Sequence, residues 1–239
     1  GTTWGMSTFT AAGDFQFRTI YSLMGQQDGE MQTDGEWLAG DNAEKLEKAL
    51  RVVANWALDG YVPQFTEYPA AIALFTSGES AFHINGVWEV PTMVDLYAKG
   101  ELFEWGAIEL PVFFDHPSTY SDSHTLAIPN NAGEDLTPEK RAAVLKVMAY
   151  VLSRGNYWAT AGHIPALNSV TSSAEYQAMQ PNATYAVLTD NMIYDPKSPQ
   201  AGVAGPMYAV TADAFTAAVN GDMDAAEAVQ VIKDELDFL

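Results

Sequence analysis

The chain contains no cysteine, which removes disulfide scaffolds, thiolate metal sites and cysteine nucleophiles together. Basic residues are scarce: 11 Lys and Arg stand against 31 Asp and Glu, for a formal net charge of -20. With no basic surface to neutralise phosphates, DNA, RNA and anionic headgroups make poor partners. The acids are scattered rather than gathered into a tail. They read as a solubility device of a secreted, acid-exposed or salt-exposed protein rather than as an interaction arm. Also missing is any apolar run of about eighteen residues, so nothing reads as a membrane span. The opening Gly1-Thr-Thr-Trp4 resembles neither a signal peptide nor a natural start, so the sequence is expected to begin in mid-protein or behind a processed tag. The G-x-S-x-G, Walker A, G-x-G-x-x-G and H-E-x-x-H patterns are all missing, and with them the enzyme classes they mark.

What is there is apolar enough to fold. At 239 residues and 48% hydrophobic content the chain can bury one large core or two modest ones. The first 40 residues mix aromatics with the turn formers Gly5, Gly13-Asp14, Gly25, Asp28-Gly29 and Asp34-Gly35, leaving room for a short helix around Phe17 to Met24 and a brief strand at Trp37-Leu38. Asp41-Asn42 reads as the cap of a helix whose residues Leu46, Leu50, Val53 and Ala57 recur at core-facing spacing until Asp59-Gly60. Further helices are predicted over Glu89 to Ala98, from Thr137-Pro138 to Leu152, from Gly205-Pro206 to Val219, and from Asp222 or Asp224 to the end. In the second of these, Ala142, Leu145, Met148, Ala149 and Leu152 form one stripe. Trp105 to Pro111 and His124 to Pro129 read as strands. Strands separated by helices, with helices dominating the end, predict an α/β fold.

The stretch Leu74-Phe-Thr-Ser-Gly-Glu-Ser-Ala-Phe-His-Ile-Asn-Gly-Val-Trp88 is the most informative. A helix ends at Phe75, Gly78 supplies a turn, and Ala81, Phe82 and Ile84 read as a short buried strand. Asn85-Gly86 breaks that strand just before Trp88, a place where α/β folds present ligand-contacting groups. The segment resembles the F-x-x-G-x-x-A-(M/F)-x-x-x-G-x-W signature of bacterial extracellular solute-binding proteins of the sugar-binding class (family 1, maltose-binding-protein-like). These are the capture subunits of ABC importers. Further pieces fall in the family's order: Thr3-Trp4-Gly5-Met6 with Gly13-Asp14-Phe15, Trp105 to Pro111, Asp122-Ser123-His124-Thr125, Trp158 to Ala166, and Gly221 to Ala228.

The resemblance implies a periplasmic-binding-protein-like fold of type II, mainly the C-terminal lobe plus part of the N-terminal one. Residues 1–110 and 158–239 would form the C-terminal lobe, and 111–157 would belong to the N-terminal lobe, the opening segment that builds most of that lobe being expected to lie outside this sequence. It implies capture of a carbohydrate, an oligosaccharide above all, between two lobes, delivery to the membrane permease of an ABC transporter, no cofactor and no catalysis. The location implied is extracellular or periplasmic, with a lipid anchor on the missing N-terminus as a family option.

The same resemblance puts Trp88 against the sugar and makes Tyr208 the second aromatic platform. An indole face suits the C–H patches of a pyranose, and the competing reading is a core tryptophan. Asp14, Phe15 and Phe17 come from the first loop, Asn85 and Glu89 flank Trp88, and Ser123 and His124 lie on a ligand-facing loop. Carboxylates and amides suit polyols because they pair with vicinal hydroxyls. Asp14, Asn85 and Glu89 read equally as turn formers or helix-terminal groups. His83, on an apolar strand, reads as a structural histidine, and the four histidines show no metal-ligand spacing. Two other classes stay open: a glycoside-active enzyme using a carboxylate pair, and a non-catalytic surface interaction domain.

Overall fold

A computed structural model describes residues 3–129 and 136–239; Gly1, Thr2 and 130–135 lie outside the described residues. β1 (Trp4–Ser7) leads into α1 (Gly13–Gly25), and a tight hairpin of β2 (Gln32–Thr33) and β3 (Glu36–Trp37) follows. Asp34 and Gly35 turn that hairpin with φ of 52° and 87°, the positive pair that a two-residue turn between antiparallel strands requires. Next come α2 (Asn42–Leu58), α3 (Tyr68–Thr76) and β4 (Ser80–His83). β4 returns parallel to β1, with Trp4 opposite Ser80, Met6 opposite Phe82 and Ser7 opposite His83. A parallel pair needs a long crossover, and α1 through α3 supply it.

A short 3₁₀ turn, Val87–Glu89, then passes into α4 (Val90–Ala98). Beyond it lie β5 (Thr119–Tyr120), α5 (Pro138–Leu152), the short helices α6 (Gly155–Ala159), α7 (Asn168–Thr171), α8 (Ala174–Gln177) and α9 (Asn182–Tyr185), and β6 (Met192–Ile193), which pairs in parallel with β5. α10 (Pro206–Asn220) and α11 (Ala225–Phe238) close the chain.

The main core lies between α1, α2, α10 and α11. α1 is its central element: Phe17, Ile20, Leu23 and Met24 are wholly buried, each stabilising the fold by about 1.5–3 kcal/mol. α2 turns the predicted stripe of Leu46, Leu50, Val53 and Ala57 onto it. Gly221, at φ 86°, ends α10, and the Asp224 carboxylate accepts from the Ala226 amide at 2.8 Å to begin α11. Asp41 makes no side-chain cap on α2; instead the Asn42 side chain accepts from the Glu30 amide at 2.9 Å and ties the helix to the hairpin. Phe75, Met93 and Leu102 form a smaller second cluster.

Several expectations fail, each where a non-local partner decides. Trp105 to Pro111 and His124 to Pro129 are irregular rather than strands, because no described strand lies beside either to take up its backbone groups. Trp37 ends β3, and Leu38 leaves it at φ 48°. β4 lies at the edge of a two-stranded sheet, so Phe82 is 61% exposed and Ile84 lies beyond the strand. α5 forms as predicted, capped by the Thr137 hydroxyl accepting from the Lys140 amide, yet its stripe is not core. No residue of α5 is buried, and Val147, Tyr150 and Leu152 stand in the open.

Candidate ligand-binding site

Two helices fix the floor of the site. Gly13 begins α1 so close to α10 that a Cβ there would stand 1.9 Å from the Ala212 carbonyl oxygen; only glycine permits the approach. That contact sets Phe15 and Arg18 on α1 beside Tyr208 in the first turn of α10. The Arg18 guanidinium carbon lies 5.3 Å from the Phe15 ring centre, 5.7 Å from that of Trp88 and 5.7 Å from that of Tyr208. One cation thus faces three aromatic rings, an attraction that strengthens as water is excluded.

Trp88 is half-buried. Its indole N–H donates to the Tyr68 hydroxyl at 2.9 Å, and that hydroxyl donates to Glu89 Oε2 at 2.9 Å. The Tyr68 ring stacks on Phe9 at 4.6 Å and tilts against Phe15 at 5.1 Å. The indole is therefore held at its polar edge, leaving its apolar body for contact.

The polar wall comes from β5 and the segment after β6. Tyr208 and Tyr120 share a short hydroxyl–hydroxyl bond, and the Tyr120 hydroxyl donates to Asp195 Oδ2 at 3.2 Å. Each hydroxyl has one proton, so Tyr208 donates to Tyr120 and the relay ends on the carboxylate. Burial is the leading cause that pushes both phenols, and the Asp195 carboxyl, above their ordinary values. Arg18 also donates to the Asp14 carbonyl at 3.0 Å and pairs with Asp122 at 3.5 Å. Arg18 Nε and Asp195 Oδ1 are buried without a hydrogen-bond partner among the described residues.

Beside Asp122 lies a second group. Trp158 stacks on His163 at 4.6 Å, and His124 stands edge-on to both, at 5.3 and 5.0 Å. Burial, then His124, push the His163 imidazole below its ordinary range. Gly162, at φ 87°, lets this loop meet the Val87 carbonyl, where a Cβ would stand 1.9 Å from the oxygen. The loop is thereby docked onto the turn that carries Trp88.

The structure brings Trp88, Phe15 and Tyr208 together around Arg18, with Glu89 and Asp14 at the margin. Phe17, Tyr208, Asn85 and His124 are placed differently from expectation. Phe17 faces the core, wholly buried, with its ring 4.5 Å from Tyr208, and lies beneath the floor of the cradle. Tyr208 is only 2% exposed and forms the floor beneath Arg18 rather than an open platform. Asn85 donates to His83 Nε2 at 3.1 Å and accepts from the Gly86 amide at 2.7 Å, shaping the turn before Trp88. Ser123 is exposed, and His124 joins the Trp158 group. Sequence reasoning missed Tyr68, Tyr120 and Asp195, which sit on separate elements with no spacing to link them. A hollow of about 450 Å³ lies elsewhere, between the hairpin and the end of α11, and presents no open aromatic face. Among the described residues no group of three His, Asp or Glu could hold a metal ion, and no helix is long and apolar enough to cross a membrane.

A parallel strand pair bridged by helices, with a tryptophan in the turn beyond it over an aromatic and polar cradle, defines an α/β protein. The chain belongs to the bacterial extracellular solute-binding proteins, whose sequence model matches residues 2–184. Comparison with curated proteins gave no match. Among solved structures it is similar to the sugar-binding protein MalE from Xanthomonas citri, with TM-score 0.76 and 17% identity, covering 99% of this chain and 58% of that one. It is likewise similar to the GacH receptor of Streptomyces glaucescens, solved unliganded and with acarbose (0.73, 14%, 99% and 59%). A sugar transporter protein from Arthrobacter chlorophenolicus with bound laminaribiose also matches (0.72, 16%, 99% and 60%). These likenesses support the periplasmic sugar-binding fold of type II. The chain spans about three fifths of the length of each of these neighbours.

Proposed function

We propose that this chain is the ligand-gripping part of a saccharide-binding protein of an ABC importer. The observation that carries the reading is the Arg18 cradle. A half-buried indole fixed at one edge offers a face for a sugar ring, while the adjoining guanidinium and carboxylates offer donors and acceptors for its hydroxyls. Residues 1–110 and 158–239 act as one lobe, to which β5 is joined by its pairing with β6, and the rest of 111–157, with α5, reaches across to the other. The uncovered stripe of α5 supports this division, because a helix with an apolar stripe and no buried residue needs a further layer to cover it. The ligand would be captured by closure of two lobes and passed to a membrane permease, outside the cell membrane, with or without a lipid anchor.

The role is binding rather than catalysis. A carboxylate pair has less support, since Glu89 is held by Tyr68 and Asp122 by Arg18. The test is calorimetry of the full-length protein with neutral oligosaccharides such as maltotriose and laminaribiose, repeated on Trp88→Ala. Affinity is expected to fall by about 1–3 kcal/mol, with a smaller loss of folding stability by denaturant titration. A stability loss of about 3–5 kcal/mol, the cost of a core cavity, with unchanged affinity of the folded protein would remove Trp88 from the site. Hydrolysis of a glycan would move the chain to the enzyme class.

A further inference from the structure

The cradle is lopsided in charge. Its guanidinium is paired with Asp122, Asp195 approaches from the far side of the Tyr120–Tyr208 relay, and Glu89 lies beyond Trp88 on the Tyr68 hydroxyl. Among the described residues no other Lys or Arg pairs with these carboxylates. Nor is Arg18 free to turn away, with rings of Phe15, Trp88 and Tyr208 around it.

We propose that Asp122, by holding the Arg18 guanidinium, sets the charge class of the ligand: the cradle admits uncharged saccharides and rejects those that carry a carboxylate. This rests on the saccharide reading of the site. The pair presents N–H donors and a carboxylate acceptor side by side, and both side chains keep part of their surface open, 21% and 36%. A vicinal diol matches that arrangement, since one hydroxyl accepts from the guanidinium while its neighbour donates to the carboxylate. The carboxylate of a uronate, standing where the neutral sugar has a hydroxymethyl group, brings only acceptors to the same place. It must displace Asp122 from Arg18 or lie against it, and the like charge, close and partly desolvated, costs affinity by roughly tenfold or more.

The experiment pairs each neutral probe, maltotriose and laminaribiose, with its counterpart in which one hydroxymethyl group is oxidised to the carboxylate. Binding is read by calorimetry on the full-length protein. The wild type is expected to prefer the neutral member, and Asp122→Asn to shrink that preference by about tenfold. In Arg18→Gln/Asp122→Asn the gain for the acid is expected to vanish, because the freed cation is gone. Preference narrowing in the wild type as salt rises gives a second reading that needs no variant, since screening weakens the rejection. An Asp122→Asn ratio equal to that of wild type, a salt-independent ratio, or a wild type that favours the acid would overturn the proposal. Failure of the wild type to bind any neutral or acidic saccharide would instead overturn the saccharide reading, and this inference with it.

Discussion

His83 sits between two partners that together fix its charge. Asn85 donates its amide N–H to Nε2 at 3.1 Å, so that nitrogen is bare and the ring proton is on Nδ1, facing the Ser7 carbonyl at 3.2 Å and hydroxyl at 2.8 Å. The imidazole is neutral, and burial pulls its pKa down to about 4 from 6.5. Because the unfolded chain takes up this proton first as pH falls, the contribution is fully present above pH 6.5 and is lost progressively between 6.5 and about 4. Its size is at most about 3 kcal/mol. Denaturant titrations across that window should show a shallower loss in His83→Gln than in wild type; parallel curves would mean that the ring carries no such linkage. The comparison between the two proteins isolates this group from the acids that titrate nearby. A structural role for His83 was legible from the apolar run around it, although the rings that bury the imidazole are those of Phe9 and Phe75, each 5.7 Å away, and not its strand neighbours. The exposure of Phe82 was not, since it depends on what covers β4.

At the scale of the element, the site depends on how closely α1 and α10 meet. Gly13→Ala would place a methyl group on the Ala212 carbonyl, and such overpacking costs about 1–3 kcal/mol. Since α1 carries Arg18 and α10 carries Tyr208, saccharide affinity should fall along with stability. Gly106→Ala serves as the control: its Cβ meets nothing within 4 Å, so thermal melts and calorimetry should leave it near wild type. If both variants behaved alike, the helix contact would not be what positions the cradle. The same scale explains what could be read in advance. α2, α5, α10 and α11 announce themselves through spacing, caps and a terminal glycine, all local signals. Trp105 to Pro111 and His124 to Pro129 have strand-like composition but no ladder partner, and pairing is not written within a segment. In the site, Trp88 stood inside a recognisable local pattern, whereas Tyr68, Tyr120 and Asp195 became visible only when the fold brought 68, 120 and 195 together.

For the molecule as a whole, a net charge of -20 on 239 residues means that acidic groups repel one another in the compact state. Added salt screens them, with a Debye length of about 10 Å at 0.1 M. The melting temperature is therefore expected to rise as sodium chloride increases from about 0.02 to 0.3 M, a range over which that length shrinks severalfold. A flat or falling curve by calorimetric scan would show that the scattered acids are already balanced by local pairs such as Lys48–Glu44 and Lys233–Asp237.

The open stripe of α5 gives that screening a second, opposing effect. Leu145 at 49% and Leu152 at 54% exposed lie on that stripe and, wherever no further layer covers it, make an adhesive strip on a particle kept apart from its copies by charge. At low ionic strength the like charges hold neighbouring molecules beyond the reach of this strip. As the repulsion shortens, the strips of two molecules can meet and exclude water between them. Salt then steadies each folded molecule while it drives the solution toward clustering, so the conditions of greatest thermal endurance and of greatest solubility lie at opposite ends of the salt scale.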